Sequence, residues 1–135
     1  MSGEENKACI RRSIEAFNRR NIEGFFDAFA PTCIFHEPPI EVPATLAEEK
    51  QRIPHTFAAF PDLQIVLKDL TAEGEKVVVR YTYQGTDAQT GKKVAWTGIS
   101  FLYFVGGKVI EDWAITDALG LLQQVDAIPD TEQNK

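Results

Sequence analysis

The chain has little with which to build a metal or redox centre: its 135 residues include only two cysteines and two histidines. Cys9 and Cys33 show neither a CxxC pair nor zinc-ligand spacing, so they read as free thiols of a reducing compartment, and no metal site is expected. No apolar run approaches the ~20 residues of a membrane helix. Residues 1–20 carry charges throughout, unlike a signal-peptide core, and the expectation is a cytoplasmic protein. Positive charge is scarce as well. Fourteen Lys and Arg stand against twenty Asp and Glu, and the net charge of -6 argues against nucleic acid and membrane surfaces as partners. Internal repeats and linkers are absent.

What is present suits one packed domain. The sequence is 44% hydrophobic and 25% charged, with nine phenylalanines, enough for one sizeable core. We expect a single domain over 1–125 and a polar tail over 126–135.

Capping boxes mark two helices, Ser2-x-x-Glu5 ahead of Ile10, Ile14 and Phe17, and Thr45-x-x-Glu48 ahead of a helix from Leu46 towards Ala59. Pro54 should kink or split the second of these. Asn21 caps a short helix, Ile22 to Phe29, which Pro31 stops. Thr32 to Glu37 reads as a brief strand, and the three prolines of residues 38–44 indicate a loop. From Leu63 onward the pattern alternates as strands do: Leu63–Leu67, Lys76–Gly85, Lys93–Val105, then a strand after the Gly106-Gly107 turn that runs to Asp117. Ala118 to Gln124 forms a short closing helix. The fold class is α+β: a cone-shaped barrel with three helices packed on a strongly curved, mostly antiparallel sheet.

Counting outward from the glycine turn pairs Trp96 with Asp117, Gly98 with Ile115 and Ser100 with Trp113. Pairing Gly85 with Lys93 sets Thr82 beside Trp96 and Arg80 beside Gly98. One face then carries Arg80, Thr82, Trp96, Ser100, Trp113, Ile115 and Asp117, apolar walls with one arginine and one carboxylate, as in a ligand pocket. The other carries Val79, Tyr81, Tyr83, Ile99, Phe101, Tyr103 and Ile110. That aromatic face is left open unless a second copy covers it, which predicts a homodimer through the sheet. A bulge in either hairpin would break this register.

Several stretches together resemble a known family. They are Ala16-Phe17-Asn18 with Asn21-Ile22-Glu23, Ala30-Pro31-Thr32 leading to His36, Phe60-Pro61-Asp62, Ala72-Glu73-Gly74-Glu75-Lys76-Val77, Val79-Arg80, and Gly107-Lys108-Val109-Ile110-Glu111-Asp112-Trp113 ending at Asp117. In order and spacing the chain resembles the SnoaL-like polyketide cyclases (ester cyclases) of the nuclear transport factor 2-like superfamily. The resemblance implies an aldol-type ring closure, with the strand-end acid as general acid/base and no cofactor. That role maps onto Asp117. The strand before the glycine turn lacks the histidine expected of the aromatic-polyketide enzymes.

The candidate catalytic residues are therefore Asp117, His36 and Arg80. The candidate substrate-binding residues are Trp96, Trp113, Thr82, Ser100 and Ile115. Asp117 is also well placed to cap the helix that follows it. Two functions stay open: cofactor-independent acid/base chemistry, a cyclisation or isomerisation of a hydrophobic carbonyl compound, or a non-catalytic domain that binds a small ligand in the same pocket.

Overall fold

A computed structural model describes residues 2–127. The expected tail over 126–135 lies, from residue 128 onward, outside the described residues. The described residues form four helices, α1 Gly3–Asn18, α2 Ile22–Phe26, α3 Leu46–Ala59 and α4 Ala118–Gln124. They also form six strands: β1 Phe29–Glu37, β2 Ile40–Thr45, β3 Gln64–Glu73, β4 Lys76–Thr86, β5 Lys93–Val105 and β6 Lys108–Thr116. The strands make one curved sheet in the order β2-β1-β6-β5-β4-β3, open at β2 and β3. Only β1 and β6 run parallel; the other pairs are antiparallel. The α+β cone expected from the sequence is present, with the expected short closing helix as α4 and without full closure.

Local chemistry sets the helix ends. Ser2 and Thr45 each complete a reciprocal capping box, with Glu5 and Glu48. The Asn18 amide bonds both the N–H and the C=O of Ile65, at 2.8 and 2.9 Å, which pins the end of α1 to the start of β3. Ile10, Phe17, Phe26, Leu63, Val77, Leu102, Phe104 and Val109 form the buried core beneath the helices. Pro54 does not split α3, which runs unbroken through it. The expected loop at 38–44 is instead largely strand, because Phe35 and Ile34 of β1 pair with Ala44 and Thr45.

Both expected hairpin registers are off by one. Between β4 and β5 the loop closes more tightly than expected: Thr86, not Gly85, pairs with Lys93. Asp87 holds that loop, accepting from the Thr90 hydroxyl at 2.6 Å while its N–H donates to Lys92 O at 2.8 Å. Between β5 and β6 the glycine turn is as expected, with Gly106 and Gly107 at φ 58° and 80° and Val105 opposite Lys108. Beyond it a bulge intervenes. Phe104 pairs with Val109 and Tyr103 with Glu111, so Ile110 is the extra residue. A one-residue slip exchanges the two faces of a strand. Asp112, Ala114 and Thr116 therefore face the helices, while Trp113 and Ile115 face outward.

Candidate active site

The helices and the inner face of the sheet enclose a cavity of about 360 Å³. Its floor is aromatic. Phe17, Phe25, Phe26, Phe29 and Phe35 come from α1, α2 and β1, and their ring centroids lie 4.9 to 6.1 Å from one another in successive pairs. Trp96 makes one wall, stacked on Tyr83 at 5.1 Å and against Phe60 at 5.2 Å. Such packing of edges and tilted faces suits a flat apolar ligand.

One end of the cavity is polar. Asp112 of β6 projects into it, with Phe35 of β1 beside it on one flank and Leu102 of β5 on the other. Its Oδ1 is buried and meets no hydrogen-bond donor. Burial drives its pKa up to about 7; the Glu49 and Glu37 charges add to the rise, and a hydrogen bond from Ser100 opposes it. Ser100 in turn shares a 2.9 Å hydrogen bond with the Tyr81 hydroxyl. Burial pushes Tyr81 up to about 12 and Tyr83 well above the usual phenol range, so both stay protonated and can donate. At the mouth, Arg52 of α3 bridges two carboxylates, Glu49 at 2.9 Å and Glu37 at 3.3 Å. Burial raises Glu49, with Arg52 pulling it down. Cys33, in the core, is pushed up to about 12 by burial first and the Asp112 charge next, so its thiol stays protonated and a poor nucleophile.

The sequence-derived candidates divide accordingly. Trp96 and Ser100 line the cavity, as expected. His36 borders it, but its imidazole stacks on Trp113 at 3.8 Å, and Trp113 adjoins Asp112 in β6 and so lies on the other face of the sheet. There Trp113 Nε1 donates to Glu111 at 2.6 Å, and His36 Nε2 lies 4.0 Å from the same carboxylate. Asp117, expected in the pocket, is exposed and caps α4, its Oδ1 accepting from Gly120 N at 2.9 Å. Arg80, expected beside it, is exposed and paired with Asp69, Nε to Oδ2 at 2.8 Å. Thr82 lies opposite Thr97 and Val66, outside the cavity, and Trp113 and Ile115 are 41% and 63% exposed. The two slipped registers account for the displacement of Asp117, Arg80, Thr82, Trp113 and Ile115; His36, on β1, lies outside both hairpins. Asp112, Tyr81, Tyr83, Glu49 and Arg52 were missed. The available signal was Asp112 itself, an acid inside the Val109–Trp113 run that one bulge would turn inward.

An open cone of mostly antiparallel strands wrapped on helices is the nuclear transport factor 2-like class of fold, and here it holds an apolar cavity that ends in a buried acid. Within that class, residues 7–125 match the SnoaL-like polyketide cyclase family, and the chain belongs to it. Among solved structures, the chain resembles AclR, a candidate hydroxylase from Streptomyces galilaeus, with a TM-score of 0.88 and 28% identity over 96% of this chain and 86% of that one. A candidate polyketide cyclase from Acidithiobacillus ferrooxidans is also 28% identical, with a TM-score of 0.75, over 91% of this chain and 95% of that one. IdmH, a candidate polyketide cyclase from Streptomyces antibioticus, shares the fold at 24% identity and a TM-score of 0.82, over 90% of this chain and 98% of that one. Comparison with curated proteins finds no match. No helix among the described residues is long and apolar enough to cross a membrane.

Proposed function

We propose that the chain is a cofactor-independent acid/base enzyme acting on a flat, hydrophobic carbonyl compound, with Asp112 as general acid/base. The observation that carries this is the Asp112 carboxyl: buried at the polar end of an aromatic cavity, without a donor on Oδ1, and titrating at about 7. A base poised near neutrality both accepts and returns a proton efficiently. Ionised Asp112 takes the proton from the carbon next to a carbonyl, and the C–H electron pair becomes the enolate. The enolate carbon then attacks a second carbonyl of the same molecule, closing a ring, and the new alkoxide takes a proton back from Asp112. Once Asp112 has taken the proton, the Ser100 hydroxyl, backed by Tyr81, is released from it and donates to the developing oxyanion. Trp96 and the phenylalanine floor hold the ring plane.

The reading keeps the expected single domain over 1–125, and it includes a homodimer through the outer face of the sheet. The test uses 2-tetralone, a flat ketone with an acidic α-carbon, and follows exchange of its α-hydrogens in D2O by NMR. The wild-type chain should accelerate exchange, and Asp112→Asn should lose about 10²-fold or more of it while still quenching Trp96 fluorescence on binding. Equal exchange by D112N overturns the assignment. Binding by the wild type without any exchange identifies a ligand-binding domain instead.

A further inference from the structure

The cavity carries more acid than its proposed chemistry uses. Asp112 from β6, Glu37 from β1 and Glu49 from α3 all line it, and Arg52 is the one arginine or lysine among its lining residues. Arg52 spends its charge on the two glutamates, at 2.9 and 3.3 Å, and none of its hydrogen bonds reaches Asp112. The other titratable groups near Asp112 cannot balance it: Cys33, Tyr81 and Tyr83 are held neutral by burial, and His36 stacks on the opposite side of the sheet.

We propose that Glu37 and Glu49, tied together by Arg52 at the cavity mouth, are positioning residues that reinforce what burial does to the charge state of Asp112, through the field they place across the cavity. The arrangement rests on the reading of Asp112 as the general acid/base, and extends it to a device that neither touches substrate nor transfers a proton. Arg52 has two jobs in it. It opposes the upward push that burial gives Glu49. It also holds both glutamates in fixed positions, so that their field on Asp112 does not average away. Glu37 stands two residues beyond Phe35, the β1 neighbour of Asp112, and Glu49 lines the same cavity from α3, so both act on Asp112 across a space less screened than bulk water.

The charge state can be read without a substrate, by titrating the side-chain carboxyl carbons of 13C-labelled protein, with the Asp112 signal assigned by its loss in D112N. Wild-type Asp112 should titrate near neutrality. Glu49→Gln, which keeps the shape and removes the charge, should lower its midpoint by about one pH unit, and Glu49→Asp should restore it. Glu37→Gln, on a separate element, should lower it too, and serves if E49Q does not fold. Glu41→Gln, an exposed acid of β2, should leave the midpoint where it is. An unmoved midpoint in E49Q and E37Q overturns the proposal, as does an equal shift in E41Q. These outcomes are independent of turnover. Failure of D112N to lose 2-tetralone exchange sinks the reading of Asp112, whereas an unmoved midpoint sinks only the coupling.

Discussion

In the folded chain the Asp112 carboxyl keeps its proton up to about pH 7, and in the unfolded chain it gives the proton up near pH ~4. Between those two values the folded state binds more protons than the unfolded one, so stability falls as pH rises through that window and is level above it. The cost at full ionisation is a few kcal/mol, which a chain selected for stability alone would avoid. D112N removes the ionisable group at nearly constant volume. It should therefore be more stable than wild type, and its advantage should widen by about 2 kcal/mol between pH ~5.5 and pH ~8, read as urea midpoints. The same carboxyl predicts that 2-tetralone exchange rises with pH through about 7 and then levels off, since the base must be ionised to act. Asp117 carries the opposite expectation. Its carboxylate only satisfies Gly120 N at the start of α4, so Asp117→Ala should cost about 1 kcal/mol in unfolding free energy and leave exchange unchanged.

The elements of this chain differ in how openly the sequence announces them. Helix ends were legible because caps are local: Ser2 with Glu5, and Thr45 with Glu48, act within one turn and need nothing from the rest of the fold. The strands from β3 onward were legible from local alternation, whereas β2 hid in a proline-rich stretch that read as a loop; the glycine turn was legible too, where two consecutive positive φ values leave few alternatives to Gly106-Gly107. Register was not. The bulge at Ile110 coincides with contacts from far along the chain, Val109 N donating to Ala28 O and Phe104 N to Glu75 O, both at 2.8 Å. No alternation of residue types records such contacts, yet each exchanges a whole strand face. Trp96 and Ser100 survived because β5 is the strand from which both hairpins were counted. Asp117, Arg80, Thr82 and Ile115 lay on the strands that slipped. Deleting Ile110 tests this at its own scale. It would remove the extra residue and leave the ladder beyond it in its present register, Glu111 opposite Tyr103 and Asp112 opposite Leu102, so Asp112 should stay inside. The expected result is a folded variant that unfolds cooperatively in urea and keeps dispersed amide NMR signals, with the Asp112 carbon still titrating near neutrality. A variant that fails to fold, or whose Asp112 loses its raised midpoint, would show that the bulge does more for the register than absorb one extra residue.

At the scale of the whole molecule, the slip that placed Asp112 inside also decided what lies outside. Ile99, Phe101, Tyr103, Ile110, Trp113 and Ile115 make a continuous apolar surface on β5 and β6, each at least 37% exposed. Of the residues expected on that face, Val79, Tyr81 and Tyr83 belong instead to the inside of the cone, two of them as cavity hydroxyls. The surface is mainly apolar and aromatic; Glu111 lies within it, opposite Tyr103 and accepting from Trp113 Nε1, and the Arg80–Asp69 pair flanks it. A monomer seldom leaves a patch of this kind in water, and an open sheet face is self-complementary about a two-fold axis. We therefore expect sedimentation at twice the 15.1 kDa chain mass. Phe101 pairs with Trp113 near the middle of the patch and touches the site only through the sheet between them. Phe101→Glu should split the dimer, because it would bury a charge without a partner in the interface. The Asp112 carbon should still titrate near neutrality in the resulting monomer, since every group that shifts it lies on the inner side of the same chain. Wild type sedimenting as a monomer at tens of micromolar would remove the dimer, and an Asp112 midpoint that fell in F101E would mean that the partner copy helps to keep water from the cavity.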